Sequence, residues 1–141
     1  MNFKNKKILV TGATGGIGDS IVQKFLSLNG SVLGTGTNSE KLETLKKKYP
    51  QISTVQFDIS EHDKIEQFIE NVFSKLGGLD ILINNAGITG STAKLWDYDI
   101  NEWHKVIDIN LHGTFNCSKI IVPHMIKNNY GRIVNLSLIH I

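Results

Sequence analysis

The sequence predicts an α/β fold: a doubly wound parallel sheet with helices on both faces, three layers deep. Three observations carry that prediction. Short apolar runs alternate with longer amphipathic stretches, the arrangement of repeated βαβ units. The runs are continuous in Val, Ile and Leu instead of alternating with polar residues, as they are when helices cover both faces of a sheet. A glycine-rich turn, Thr11-Gly12-Ala13-Thr14-Gly15-Gly16-Ile17-Gly18, joins the first run to the first helical stretch. The pattern stops after the fifth strand, so the sheet is expected to be truncated there.

The first strand is predicted near residues 7–11, on the run Lys7-Ile8-Leu9-Val10. A helix near 16–29 follows, because Ile17, Ile21, Val22, Phe25 and Leu26 recur at helical spacing. Asn29-Gly30 ends it, since both residues tolerate the left-handed backbone of a helix terminus. The second strand, 31–35, leads to a helix over 39–48, which Ser39 can cap and Tyr49-Pro50 stops. The third strand, 53–57, precedes a helix near 61–75 closed by Gly77-Gly78. The fourth strand, 80–84, precedes a long helix over 100–127. Asp99 and Glu102 there resemble a capping box, and Pro123 should bend or shorten it. The fifth strand lies near 132–136.

Composition bounds the function. The chain has 141 residues, 40% hydrophobic and 20% charged, enough for one domain with a real core. Net charge is only +2, and the dense lysine clusters at 4–7 and 46–48 read better as solvated surface than as a nucleic-acid footprint. The single cysteine, Cys117, forms no internal disulfide and sits in an apolar helical stretch, so it reads as a packing residue in a reducing, cytoplasmic protein. The histidines at 62, 104, 112, 124 and 140 make no i, i+4 pair, and no metal site is expected. No apolar run is long enough to span a bilayer, and no export signal is read at the N-terminus.

The glycine turn carries the first functional signal. Glycines at 12, 16 and 18 let main-chain N–H groups and a helix N-terminus approach a pyrophosphate, which points to a bound dinucleotide. Asp58 follows the third strand, Asn84-Asn85-Ala86-Gly87 follows the fourth, and Asn110 lies in the long helix. Ligands of open parallel sheets bind outside the carboxyl ends of the strands, where these segments project.

Together with Val106-Ile107-Asp108-Ile109-Asn110-Leu111 and Gly131-Arg132-Ile133-Val134-Asn135, these motifs resemble the short-chain dehydrogenase/reductase family, from residue 3 to about 135. The resemblance implies a Rossmann-type NAD(P)-binding domain over 1–135, with its five strands in the order 3-2-1-4-5. It also implies hydride transfer between nicotinamide and a carbonyl or secondary alcohol. By the same resemblance Gly12, Thr14, Gly16, Ile17 and Gly18 cradle the cofactor phosphates, Asp58 and Ile59 meet the adenine, and Asn85, Ala86 and Gly87 line the ribose and nicotinamide side. Asn110 matches the family's active-site asparagine, whose backbone carbonyl holds a water in a proton relay. Asn84 reads as a brace within the sheet. The nearest familiar activity is 3-oxoacyl-acyl-carrier-protein reductase, with sugar and polyol dehydrogenases sharing the pattern. The implied substrate is a carbonyl compound, small or acyl-carrier-bound, with no nucleic-acid or membrane partner. The full-length protein is expected to be a homo-oligomer, since family members pair through the fourth helix and the one after it.

A carboxylate about 20 residues beyond the glycines would bind the adenosine ribose and repel a 2′-phosphate. The second strand instead ends Gly34-Thr35-Gly36-Thr37-Asn38, where Thr37 and Asn38 can donate to a phosphate, which favours NADP(H) over NAD(H). The family's catalytic Tyr-x-x-x-Lys is missing, because none of Tyr49, Tyr98 and Tyr130 has a lysine four residues on. The chain alone is therefore expected to be inactive, and a non-catalytic dinucleotide sensor is the alternative if it is complete. The family's serine position falls on Leu138. Ser137 is one residue early, and a one-residue offset in a strand reverses the side chain. The apolar tail 136–141 is read as adapter-derived sequence following a truncated gene, which the codons would test. In the loop before the long helix, Trp96 and Tyr98 are candidates for either substrate contact or packing.

Overall fold

The computed structural model describes residues 2–137. Five strands, β1 (Lys7–Val10), β2 (Ser31–Gly36), β3 (Ser53–Gln56), β4 (Ile81–Asn84) and β5 (Arg132–Asn135), form one sheet in the order β3-β2-β1-β4-β5. Every neighbouring pair is parallel, with Leu9 opposite Leu33 on one side and Leu82 on the other. This is the expected doubly wound topology. The connecting helices are α1 (Gly16–Ser27), α2 (Ser39–Lys48), α3 (Ile65–Leu76), α4 (Ile100–Ile107) and α5 (Thr114–Lys127).

Because successive residues of a strand face opposite ways, each strand feeds two cores. Leu9, Leu33 and Leu82 pack with Phe68, Ile69, Val72, Cys117 and Ile121 beneath α3 and α5. Ile8, Val10, Val32 and Ile83 pack with Val22, Leu45 and Ile52 beneath α1 and α2. That double burial explains why the central strands read as unbroken Val/Ile/Leu runs. The edge strand β5 is the exception, with Val134 exposed.

Turn chemistry behaves largely as read. Asn29 takes a positive φ of 66°, and the Gly30 N–H reaches back to the Phe25 carbonyl at 2.9 Å to close α1. Gly77, at φ 71°, terminates α3. The cap of α2 is Asn38 and not Ser39: Asn38 keeps extended backbone angles and its side chain accepts the Lys41 N–H at 2.9 Å. The box at α4 is half formed. Asp99 accepts the Asn101 and Glu102 N–H groups, whereas the Glu102 carboxylate is taken by the Ser91 hydroxyl.

The single long helix expected over 100–127 is three segments. Between α4 and α5 the residues Asp108–Gly113 wind as a π-helix. Pro123 sits inside α5, which continues past it to Lys127, so the helix is not shortened there. Asn84 is buried, and its amide donates to Asn135 Oδ1 at 2.8 Å and Ser118 Oγ at 3.2 Å, tying β4 to β5 and α5. Of the tail 136–141, residues 138–141 lie outside the described residues, and so does the family's serine position at Leu138. Strand β5 ends at Asn135, so strand alternation does not set the direction of Ser137, which borders the cleft described next.

Candidate functional site

The carboxyl ends of the strands open into a cleft of about 810 Å³. Its floor is the glycine turn. Thr11 is buried, and its hydroxyl accepts the N–H groups of both Asn85 and Ala86 at 3.0 Å, while Asn85 Nδ2 donates to the Thr11 and Gly12 carbonyls at 2.9 and 3.0 Å. The turn after β1 is thereby laced to the segment after β4. Gly12 has φ +63°, and a Cβ there would lie 2.9 Å from Ala86 Cα, so only glycine permits this approach. A Cβ on Gly18 would sit 2.2 Å from the Gly12 carbonyl oxygen. By contrast a Cβ on Gly16 would meet nothing within 4 Å, since its bare backbone faces open cleft.

Helix α1 begins at that opening without a side-chain cap, because its N-cap is Gly15. The N–H groups of Gly16, Ile17 and Gly18 have no partner within the helix and lie at the positive end of its dipole. Three amides so placed suit a phosphate oxygen. A second buried polar group is also free: Thr35, at the end of β2, borders the cleft, and its hydroxyl has no partner among the described residues. Both observations fit a dinucleotide.

Of the residues singled out in the sequence, Gly12, Thr14, Gly16, Ile17, Gly18, Thr37, Asp58, Ile59, Asn85, Ala86, Gly87 and Asn110 all border this one cleft. Asn38 does not border it, and its side-chain oxygen caps α2. Asp58 accepts the Ser60 N–H and hydroxyl at 2.9 and 2.7 Å, which shapes the turn after β3. Asn110 sits in the π turn with its amide paired to both polar atoms of Ile88, accepting from N at 2.9 Å and donating to O at 2.8 Å. Its backbone carbonyl accepts the Thr114 hydroxyl at 3.1 Å. Tyr98 packs edge-on against Trp103 and beside Gly90, whereas Trp96 is exposed beside Lys94.

Sequence reasoning missed Thr11, Thr35 and Lys105, which also border the cleft. Thr11 follows the β1 run directly and could have been found as the last residue before the turn. Lys105 carries no local signal, because only the fold of α4 brings it round. Cys117 is fully buried, and burial pushes its thiol pKa up to about 12, so it is no nucleophile. The fold brings together two histidines that spacing leaves apart. His62 and His112, far apart in sequence, meet at the Asp108 carboxylate, and the hydrogen bonds of His112 first and His62 second hold that carboxyl below its usual range.

Comparison with known proteins agrees with this geometry. The sequence profile described as short chain dehydrogenase matches residues 6–140. A 2-dehydro-3-deoxy-L-rhamnonate dehydrogenase (NAD(+)) from a Sphingomonas species is 35% identical over 135 residues, covering 96% of this chain and 54% of that protein. A 3-oxoacyl-[acyl-carrier-protein] reductase from Rickettsia conorii is 40% identical over 139 residues, covering 99% and 56%. Among solved structures, a metagenomic short-chain oxidoreductase in complex with NADP superposes with a TM-score of 0.91 at 30% identity, covering 96% of this chain and 63% of that one. The chain spans about half the length of the curated relatives it matches. No helix among the described residues is long and apolar enough to cross a membrane.

Proposed function

Because the chain belongs to the short-chain dehydrogenase family, we propose that it forms the dinucleotide-binding part of an oxidoreductase acting on a carbonyl or secondary alcohol. The observation that carries this reading is the free N-terminus of α1, whose uncapped amides open into the same cleft as Asn110. Gly16, Ile17 and Gly18 would hold the diphosphate, with Gly12 and Thr14 shaping the turn. Asp58 and Ile59 would flank the adenine, and Asn85, Ala86 and Gly87 the ribose and nicotinamide. When bound, the cofactor supplies or accepts the hydride. The part of Asn110 is to offer its carbonyl to a proton-relaying water while its amide fixes the Ile88 segment.

The preferred cofactor is NADP(H). The strand end Gly34-Thr35-Gly36-Thr37-Asn38 carries no carboxylate to repel a 2′-phosphate. A smaller recess of about 250 Å³ adjoins the cleft through Thr14 and is bordered by the paired Lys48 and Asp19 and by Lys41, which leaves one positive charge in excess on that side. Thr37 borders the main cleft and remains a donor. The substrate is a carbonyl compound, small or acyl-carrier-bound, and the buried thiol of Cys117 suits a cytoplasmic protein. The exposed apolar residues Trp103 of α4, Leu111 of the π segment, and Phe115 and Ile126 of α5 support a homo-oligomer.

Calorimetric titration with NADPH and NADH tests the proposal. NADPH is expected to bind, about tenfold or more tighter than NADH, a difference of about 1.4 kcal/mol. Binding of neither nucleotide by the folded chain would overturn it. Since the chain holds no Tyr-x-x-x-Lys, it is expected to bind without turning over a ketone.

A further inference from the structure

Outside the cleft, His62 Nε2, Asp108 Oδ1 and His112 Nδ1 lie within 4.8 Å of one another. Both imidazole nitrogens face the same carboxylate oxygen, His112 at 2.9 Å and His62 at 3.5 Å. The side chains are 33%, 41% and 51% exposed for His62, Asp108 and His112, so an ion could reach them from solvent. We propose that these three residues form a binding site for one borderline divalent cation of the zinc class, with two imidazoles and a carboxylate as ligands and water completing a tetrahedron.

The donor set selects this class. Imidazole suits zinc, nickel and copper, whereas magnesium and calcium take oxygen ligands almost alone. Ligand atoms around tetrahedral zinc stand roughly 3.4 Å apart, given metal–ligand distances of about 2.0–2.1 Å. The 3.5 Å from His62 to Asp108 is close to that, while the 2.9 Å from His112 to Asp108 would open slightly as the ion replaces the shared proton. The i, i+4 spacing of Asp108 and His112 puts both on one helix face. The second observation is on the far side of His62, whose Nδ1 lies 3.2 Å from the Asn116 side-chain amide. An outer hydrogen-bond partner of this kind orients a metal-bound imidazole and sets its tautomer. With the ion on Nε2, the ring proton moves to Nδ1 and Asn116 presents its oxygen by an amide flip. His112 likewise carries its proton on Nε2, toward solvent, so no net proton is lost if both rings begin neutral.

The site would clamp two pieces of the fold. His62 opens the short turn His62–Lys64 just after Asp58 and Ile59, while Asp108 and His112 belong to the π turn that carries Asn110. None of the three ligands borders the cleft, so the inference stands independently of the dinucleotide reading.

Titration of the metal-free protein with zinc chloride is expected to show one saturable ion per chain. Affinity should fall by more than about a hundredfold in His62→Ala and His112→Ala, because loss of an outer hydrogen-bond partner alone costs about tenfold to a hundredfold and these variants lose a ligand. His104→Ala, a histidine outside the group, should bind as the parent does. Asp108→Asn keeps the shape of the carboxylate and serves if an alanine variant fails to fold, and it should also bind more weakly. Cobalt(II) should give the intense visible bands of a tetrahedral complex in the parent and in His104→Ala, and not in the ligand variants. Either of two results overturns the proposal: no saturable binding by the parent, or equal binding by the parent and every folded ligand variant, which would mean an adventitious ion only.

Discussion

At the scale of single residues, the glycine turn divides its glycines between packing and access. Gly18 serves packing, for its missing Cβ lets α1 start against the Gly12 carbonyl, where an added methyl would stand 2.2 Å away. Gly18→Ala should therefore cost about 1–3 kcal/mol in urea unfolding, as overpacked sites do, and should weaken dinucleotide binding because the amides of the turn move. Gly16 serves access, and its replacement by alanine should spare stability. Cys117 makes a separate expectation. With its thiol pushed up to about 12 by burial, it should resist a thiol reagent at mild pH in the folded protein and react only on unfolding. Rapid labelling of the native chain would show that α5 packs differently.

At the scale of elements, the end of β2 and the start of α2 are one device. Asn38 caps the helix through its side-chain oxygen, so Asn38→Ala should cost about 1 kcal/mol in a denaturant melt. Asn38→Asp keeps the cap and adds a negative charge next to Thr37, so it should leave stability nearly unchanged while shifting preference from NADPH toward NADH. A calorimetric ratio unmoved by that change would place the 2′-phosphate elsewhere. The cap was misread by one residue in the sequence because Asn38 and Ser39 are both good caps, and backbone angles alone distinguish them. The long fourth helix was legible as helical through its apolar spacing. Its π turn was not, since that winding accompanies the bond between Asn110 and Ile88, a partner in another loop.

At the scale of the whole molecule, two surfaces are unfinished. The helix face bearing Trp103, Leu111, Phe115 and Ile126 is apolar and exposed, and β5 offers an open sheet edge. Sedimentation is expected to show association that grows with concentration, and Phe115→Glu should reduce it if the helix face dominates. A monodisperse monomer at every concentration would contradict the expectation. The cleft residues were legible at this scale because strand ends in a parallel sheet all open to one rim, so reading β1, β3 and β4 sufficed to gather Gly12, Asp58 and Asn85.

The sequence alone determined the five strands, the helical stretches between them and the position of the glycine turn. These follow from apolar periodicity and turn chemistry, which act between residues a few positions apart, whereas the order of the strands in the sheet was legible only through the family resemblance. Only the tertiary structure decided that Thr11 laces the turn to Asn85, that Asn38 faces its helix instead of the cleft, and that His62 meets His112 at Asp108. Those meetings depend on how helices settle on the sheet. Packing sets such distances to within an ångström, and no local pattern encodes them.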